Sequence, residues 1–308
     1  MIWLGERRGY LSDWVTQRWV QLTGRRVDVD GAERWLAGAV GPSREVGREY
    51  FARLAEREQL TLRRAPGGSG LLSDLEALAG PDFDPKRVHP DVAAFYTQTA
   101  DYELDAWAEW CGFFRPFGRL LALLFSRRLQ QLNVPLSALD TSRGITSEVI
   151  QLVEPGSGEI RYTAWLRTLV GSGNVLYAGS YSVIRIPGHP GPCVKVVFPL
   201  PNGNAQVLMR PAVHDDGSLT VTSAGARFGA PGFYFTVHHR AGERAPVWAR
   251  YLRALRESIH VYAATDGVRA DHVLTLFGAT FLRLHYRLVR RVGQARPTGY
   301  EQRATAKI

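Results

Sequence analysis

The chain reads as an α+β protein in which a helical N-terminal half packs on a C-terminal antiparallel β-barrel, or strongly curved sheet, of about ten strands. Turn signals recur at short intervals through the second half: Glu154-Pro155-Gly156, Gly171-Ser172-Gly173-Asn174, Pro187-Gly188, Pro201-Asn202-Gly203, Asp215-Asp216-Gly217, Ala230-Pro231-Gly232, Ala241-Gly242, Asp266-Gly267 and Gly278-Ala279. Gly, Asn and Asp accept the positive φ of tight hairpins and Pro fixes φ at turn entrances, so each signal marks a chain reversal. Between them, from Thr146 onward, the apolar pattern takes a period of two, that of a strand with one buried face. About ten strands are too many for a flat twisted sheet without curling, which favours closure.

Residues 1 to about 64 read as helical, with Ser43 capping a helix that carries Val46, Tyr50, Phe51, Leu54 and Ala55 at helical spacing. Gly67-Gly68-Ser69-Gly70 breaks that pattern and marks a loop or boundary. Pro90 and Asp91 open a helix expected to run through Phe95, Tyr96, Tyr102, Leu104, Trp107 and Trp110. Pro116 opens another, to about Leu132, whose apolar residues cover more than half its circumference and predict a mostly buried helix. Strands follow near 146–153, 159–169, 175–186, 193–198, 204–210, 218–223, 233–239, 256–263, 270–277 and 280–289, with 246–256 open to a short helix. The expected organisation is an N-terminal helical region at 1–66, loop and helices at 67–145 packing on or capping the sheet, a barrel-like domain at 146–292 and a disordered tail at 293–308.

At 45% hydrophobic and 22% charged residues the composition is that of an ordinary globular protein. The N-terminus shows no charged-then-apolar leader, and the apolar run Leu120 to Phe125 is far below the ~18 to 20 residues that span a bilayer, so a cytoplasmic protein is expected. Cys111 and Cys193 have no Cys-x-x-Cys spacing and read as free thiols. The chain is arginine-rich: of 38 basic residues only Lys86, Lys195 and Lys307 are lysines, giving a net charge of +9. The arginines are dispersed and interleaved with acids, as Arg44, Arg48 and Arg53 are with Glu45 and Glu49, the pattern of a solvated helix face and not of a nucleic-acid stripe.

No nucleophile elbow, phosphate loop, dinucleotide fingerprint or metal-ligand spacing occurs, so neither a cofactor nor a metal is expected. The adjacent His238 and His239 would point to opposite faces of a strand and cannot readily share an ion. Lys195 is the only lysine in a strand, Cys193 to Phe198; placed among apolar neighbours its amine would lose its proton more easily and could act as base or nucleophile. A two-residue loop at Gly278-Ala279 would set His272 directly opposite His285, with Arg283 and Arg287 flanking on the same face. The reverse face, with Leu282, Leu284 and Leu288, offers an equally apolar surface, and a one-residue slip destroys the pairing. Tyr177 and Tyr181 share a strand face and suit either an aromatic-lined cavity or a packed core. Arg128 falls inside the apolar arc of the 116–132 helix and needs a carboxylate, carbonyls or an escape to solvent.

The function expected from this pattern is the binding of a hydrophobic small molecule, lipid-, isoprenoid- or polyketide-like, in a barrel cavity. Tyr177, Tyr181, Arg283, Arg287 and Arg128 are the candidate contacts. The first alternative is a cofactor-independent isomerase, cyclase or lyase using His272, His285 or Lys195 as acid and base. The second is a peripheral membrane protein anchored by the 116–132 helix.

Overall fold

Ten antiparallel strands close into a barrel and four more hang from it, counted over the residues that the computed structural model describes: 5, 8–65, 67–121, 124, 126–133, 143–238 and 246–291. The expected tail at 293–308, His239 and the Ala241-Gly242 turn lie outside these residues. In chain order the strands are β1 (Arg25–Val27), β2 (Thr61–Arg64), β3 (Tyr102–Trp110), β4 (Ile145–Val153), β5 (Ile160–Leu169), β6 (Val175–Arg185), β7 (Pro192–Leu200), β8 (Gly203–Val213), β9 (Leu219–Thr222), β10 (Gly232–His238), β11 (Val247–Leu252), β12 (Leu255–Ala264), β13 (Gly267–Leu276) and β14 (Ala279–Arg290). The ring runs β3-β4-β5-β6-β7-β8-β9-β12-β13-β14 and closes where β14 pairs with β3.

Two strands fork. The edge of β8 pairs with β10 over Gly203 to Leu208 and with β9 over Arg210 to Val213, so β10, β11 and β1 peel away as a flap outside the ring. On β4, Ile145 pairs with Leu104 of β3 while Ile150 to Val153 pair with β2. The barrel therefore has ten strands as expected, but its membership differs: β10 leaves the ring and β3 enters it.

The entry of β3 corrects the long helix expected from Pro90 to Trp110. Helix α3 (Pro90–Thr97), which follows α1 (Leu11–Thr23) and α2 (Tyr50–Arg57), ends where Gln98 takes an extended φ of −137°. After a turn at Thr99–Asp101, the nine residues of β3, Tyr-Glu-Leu-Asp-Ala-Trp-Ala-Glu-Trp, mostly alternate apolar with charged. Tyr102, Leu104 and Ala106 face inward while Glu103, Asp105 and Trp107 face water, and the charged positions would have broken any helical stripe. Within 246–256, likewise, Val247–Leu252 form strand β11 and the chain then turns into β12, with no helix.

Around the barrel the N-terminal segment is only partly helical. Tyr50, Phe51, Leu54 and Ala55 of α2 pack on the outer faces of β4, β5 and β6 against Ile150, Leu152, Ala164, Leu166 and Ala178. Ser43 does not cap α2, whose N-cap is Glu49. Residues 71–96, ending in α3, form a plug: Leu71, Leu72, Leu75, Leu78, Phe83, Val92 and Phe95 join the inward residues of the strands in one core cluster. Gly70 is required at the plug's start, since a Cβ there would sit 2.2 Å from the Tyr96 carbonyl oxygen.

The mostly buried helix expected over 116–132 is corrected at its start, and part of it lies outside the described residues. Helix α4 (Arg115–Leu121) leaves Phe117 and Leu120 exposed, whereas Leu129 of α5 (Arg127–Leu129) is buried in the core. No helix among the described residues is long and apolar enough to cross a membrane.

Candidate functional site

The inward faces of the ring enclose a cavity of about 90 Å³ whose walls are mostly aliphatic and aromatic, among them Val194, Val196, Met209, Val221, Ile259 and Val261, with Leu71 and Phe95 contributed by the plug. Set into this apolar wall is one polar cluster from four different strands: Arg167 on β5, Tyr177 and Tyr181 on β6, Glu257 on β12 and His272 on β13. Strand alternation aims them. Arg167 shares its face with Trp165 and Leu169, and Glu257 shares its face with Ile259 and Val261, all members of the inner core or in contact with it.

Tyr177 donates its hydroxyl to that of Tyr181 at 2.7 Å. Gly179 between them has no side chain, and a Cβ there would meet the Tyr177 ring at 2.9 Å, so its absence lets the ring lie along the strand. Burial pushes both phenols up, that of Tyr181 to about 12, so both stay protonated at neutral pH. His272 Nε2 lies 3.0 Å from a carboxylate oxygen of Glu257, and a proton on that nitrogen is donated to it. A carboxylate-oriented imidazole inside an apolar cavity is an arrangement that acid–base chemistry uses. The Arg167 guanidinium lies over the rings of Trp165 (4.3 Å), Tyr177 (4.1 Å) and Tyr286 (5.5 Å). The Trp165 indole is itself fixed by a 2.8 Å hydrogen bond from Nε1 to the Ser147 hydroxyl.

The residues singled out from sequence divide between the two faces of the sheet. Tyr177, Tyr181 and His272 line the cavity. His285 does not face His272: it pairs with Asp271, its Nδ1 2.7 Å from the carboxylate, and its ring stacks on Trp107 outside the barrel. The cause is register. The β13–β14 turn is Phe277-Gly278, both with positive φ, one residue earlier than expected, and a bulge between Leu274 and Thr275 restores half the offset, leaving His272 opposite Leu284. Arg283 and Arg287 share the outer face with His285 and pair with Glu109 and Asp266. A second bulge, at Arg167/Thr168, sets Tyr177 across from Arg167.

Lys195 and Arg128 lie away from the cavity too. Val194, Val196 and Phe198 take the inner face of β7, which puts Lys195 on the outer face under the segment around Trp35, where its ammonium donates to the Trp35 and Ala37 carbonyls. Arg128 meets the buried carboxylate of Asp13 and lies over the Tyr10 ring, joining α5 to α1. Sequence reading missed Arg167 and Glu257. Their signal was there: each is a charged residue in step with apolar residues two positions away on its strand.

No family model matches the chain, and no solved structure matches it. Over 246 residues, 79% of its length, the chain is 29% identical to a Bacillus subtilis (strain 168) protein described as "Uncharacterized membrane protein YndJ". The matched stretch is 41% of that protein, so the chain spans about two-fifths of its relative's length.

Proposed function

We propose that this chain binds a hydrophobic small molecule, of lipid-, isoprenoid- or polyketide-like character, inside the barrel. The observation that carries the reading is the cavity itself, apolar over most of its wall with a few convergent polar groups, the composition of a ligand site rather than of a filled core. A structural core has no use for an arginine and a histidine–glutamate pair among aliphatic side chains, since burying charge opposes folding. Native mass spectrometry of the purified protein is the direct test. A co-purifying species released on denaturation is expected, and a bare polypeptide mass that no added amphiphile shifts would rule the reading out.

A second reading, contact with a membrane surface, is favoured by a separate feature. Where β3 leaves the barrel, Trp110, Phe114 and Phe281 pack at tilted angles into an aromatic cluster, and beside them Phe113, Phe117 and Leu120 are 71%, 59% and 50% exposed. At the adjacent hairpin tip Phe277 is 87% exposed. Arg115 and Arg119 of α4 flank the cluster, a pairing of aromatic and cationic groups suited to the headgroup region of an anionic bilayer. The relative's description as a membrane protein supports the same setting. The double variant Phe117→Gln, Leu120→Gln is expected to lower co-sedimentation with anionic vesicles by ~10-fold or more, because each side chain withdraws apolar area from the interface. Its melting temperature should stay that of the wild type, as both side chains are exposed; unchanged sedimentation would dismiss this surface.

A further inference from the structure

The cavity contains one group whose chemistry is unfinished. Arg167 is 6% exposed, and among the described residues no carboxylate lies within ion-pair distance of it and no acceptor takes a hydrogen bond from it. Its Nε is buried without a partner. The three aromatic rings do not substitute for one. They attract the cation electrostatically through their faces, whereas the N–H donors of a guanidinium lie in its own plane and need an oxygen there. Glu257, the acid that also lines the cavity, is engaged by His272 at 3.0 Å.

Resting on the reading that the barrel holds a small molecule, we infer that this molecule carries a carboxylate, seated on the in-plane fork of Arg167, with its apolar body along the aliphatic wall. A planar two-oxygen anion matches the planar two-pronged donor. A single negative charge fits better than a phosphate dianion, because Arg167 is the only arginine or lysine among the cavity-lining residues. A second donor is at hand: Tyr181 accepts from Tyr177, and its own hydroxyl proton has no acceptor among the described residues.

Octanoate and its uncharged counterpart octanol, titrated into the wild-type protein and into Arg167→Met by calorimetry, test the inference. The wild type is expected to bind octanoate ~10- to 100-fold more tightly than octanol, the range of a charge-assisted hydrogen-bonded pair. Arg167→Met should lose that preference and keep its affinity for octanol. Arg167→Lys, which retains the charge but not the fork, should keep the preference in reduced form. Equal binding of the two compounds by the wild type, or octanoate affinity unchanged in Arg167→Met, overturns the carboxylate seat and leaves the small-molecule reading standing. Wild-type protein that takes up neither compound overturns the reading itself, and the inference with it.

Discussion

Raising the pH from about 7 to about 9 is expected to stabilise the folded protein by about 2 kcal/mol through one side chain, Lys195. The residue is 3% exposed, and burial pushes the pKa of its amine down from 10.5 to about 7. The unfolded chain keeps this proton up to the ordinary lysine range, while the native state sheds it above about 7. Over that interval the unfolded state binds more protons, so stability rises with pH, by about 1.4 kcal/mol per unit, and is lost again as pH falls through 7. The neutral amine remains well placed. It has two N–H groups and two carbonyl acceptors, those of Trp35 and Ala37, so deprotonation relieves the buried charge without orphaning a carbonyl.

The rise ends near pH 9 because other buried groups act with opposite sign. The Cys193 thiol, pushed up to about 12 by burial, and the Tyr162 and Tyr181 phenols, also raised to about 12, ionise first in the unfolded chain, which stabilises that state as pH climbs past 9 and 10. Urea unfolding at several pH values, on the wild type and on Lys195→Met, isolates the lysine. Identical pH slopes for the two proteins would mean that Lys195 is not the linked group.

Replacing Phe95 with Ala is expected to cost about 3 to 5 kcal/mol, the range for removing a large aromatic from a packed core. Phe95 is where the plug meets the barrel: it packs edge-on to Tyr96 and Tyr102 at 5.2 and 5.6 Å and tilts against Trp165 at 6.2 Å. Alanine is the better helix former, so a loss of stability reports packing and not the local propensity of α3. Phe95 also lines the cavity, and its removal enlarges the space next to Trp165. The variant should therefore unfold at lower urea concentration and yet, when folded, bind octanol at least as well as the wild type. An unchanged unfolding midpoint would show that residues 71–96 cover the barrel without being part of its core.

The candidate site was half legible before the structure. Tyr177, Tyr181 and His272 were singled out and do line the cavity. Arg167 and Glu257 escaped because a charge in a strand is ordinary on a solvated face, and nothing local says which face is solvated. Lys195 shows the same gap from the other side: its burial follows from the apolar run around it, but it is buried beneath the Trp35 segment rather than in the cavity. His285 was lost to a turn displaced by one residue and a bulge that restored half the offset.

What the sequence alone determined is the succession of strands from Ile145 to Arg290 apart from β11, because alternation and turn chemistry act over a few residues; β11 was missed, and the turn after it, Arg253-Ala254, holds no Gly, Asn, Asp or Pro to mark it. The same locality made closure foreseeable, since strand number alone forces a sheet to curl. Only the tertiary structure decided the rest. Tyr102–Trp110 is a strand because β14 offers it a paired edge, β10 leaves the ring because β8 forks after Leu208, and bulges set which residues of the neighbouring strands lie across from Arg167 and His272. Each of these depends on which backbone groups, far apart in the chain, find hydrogen-bond partners. A change of one residue in that pairing reverses every side chain beyond it, and no short window of sequence contains the information that fixes it.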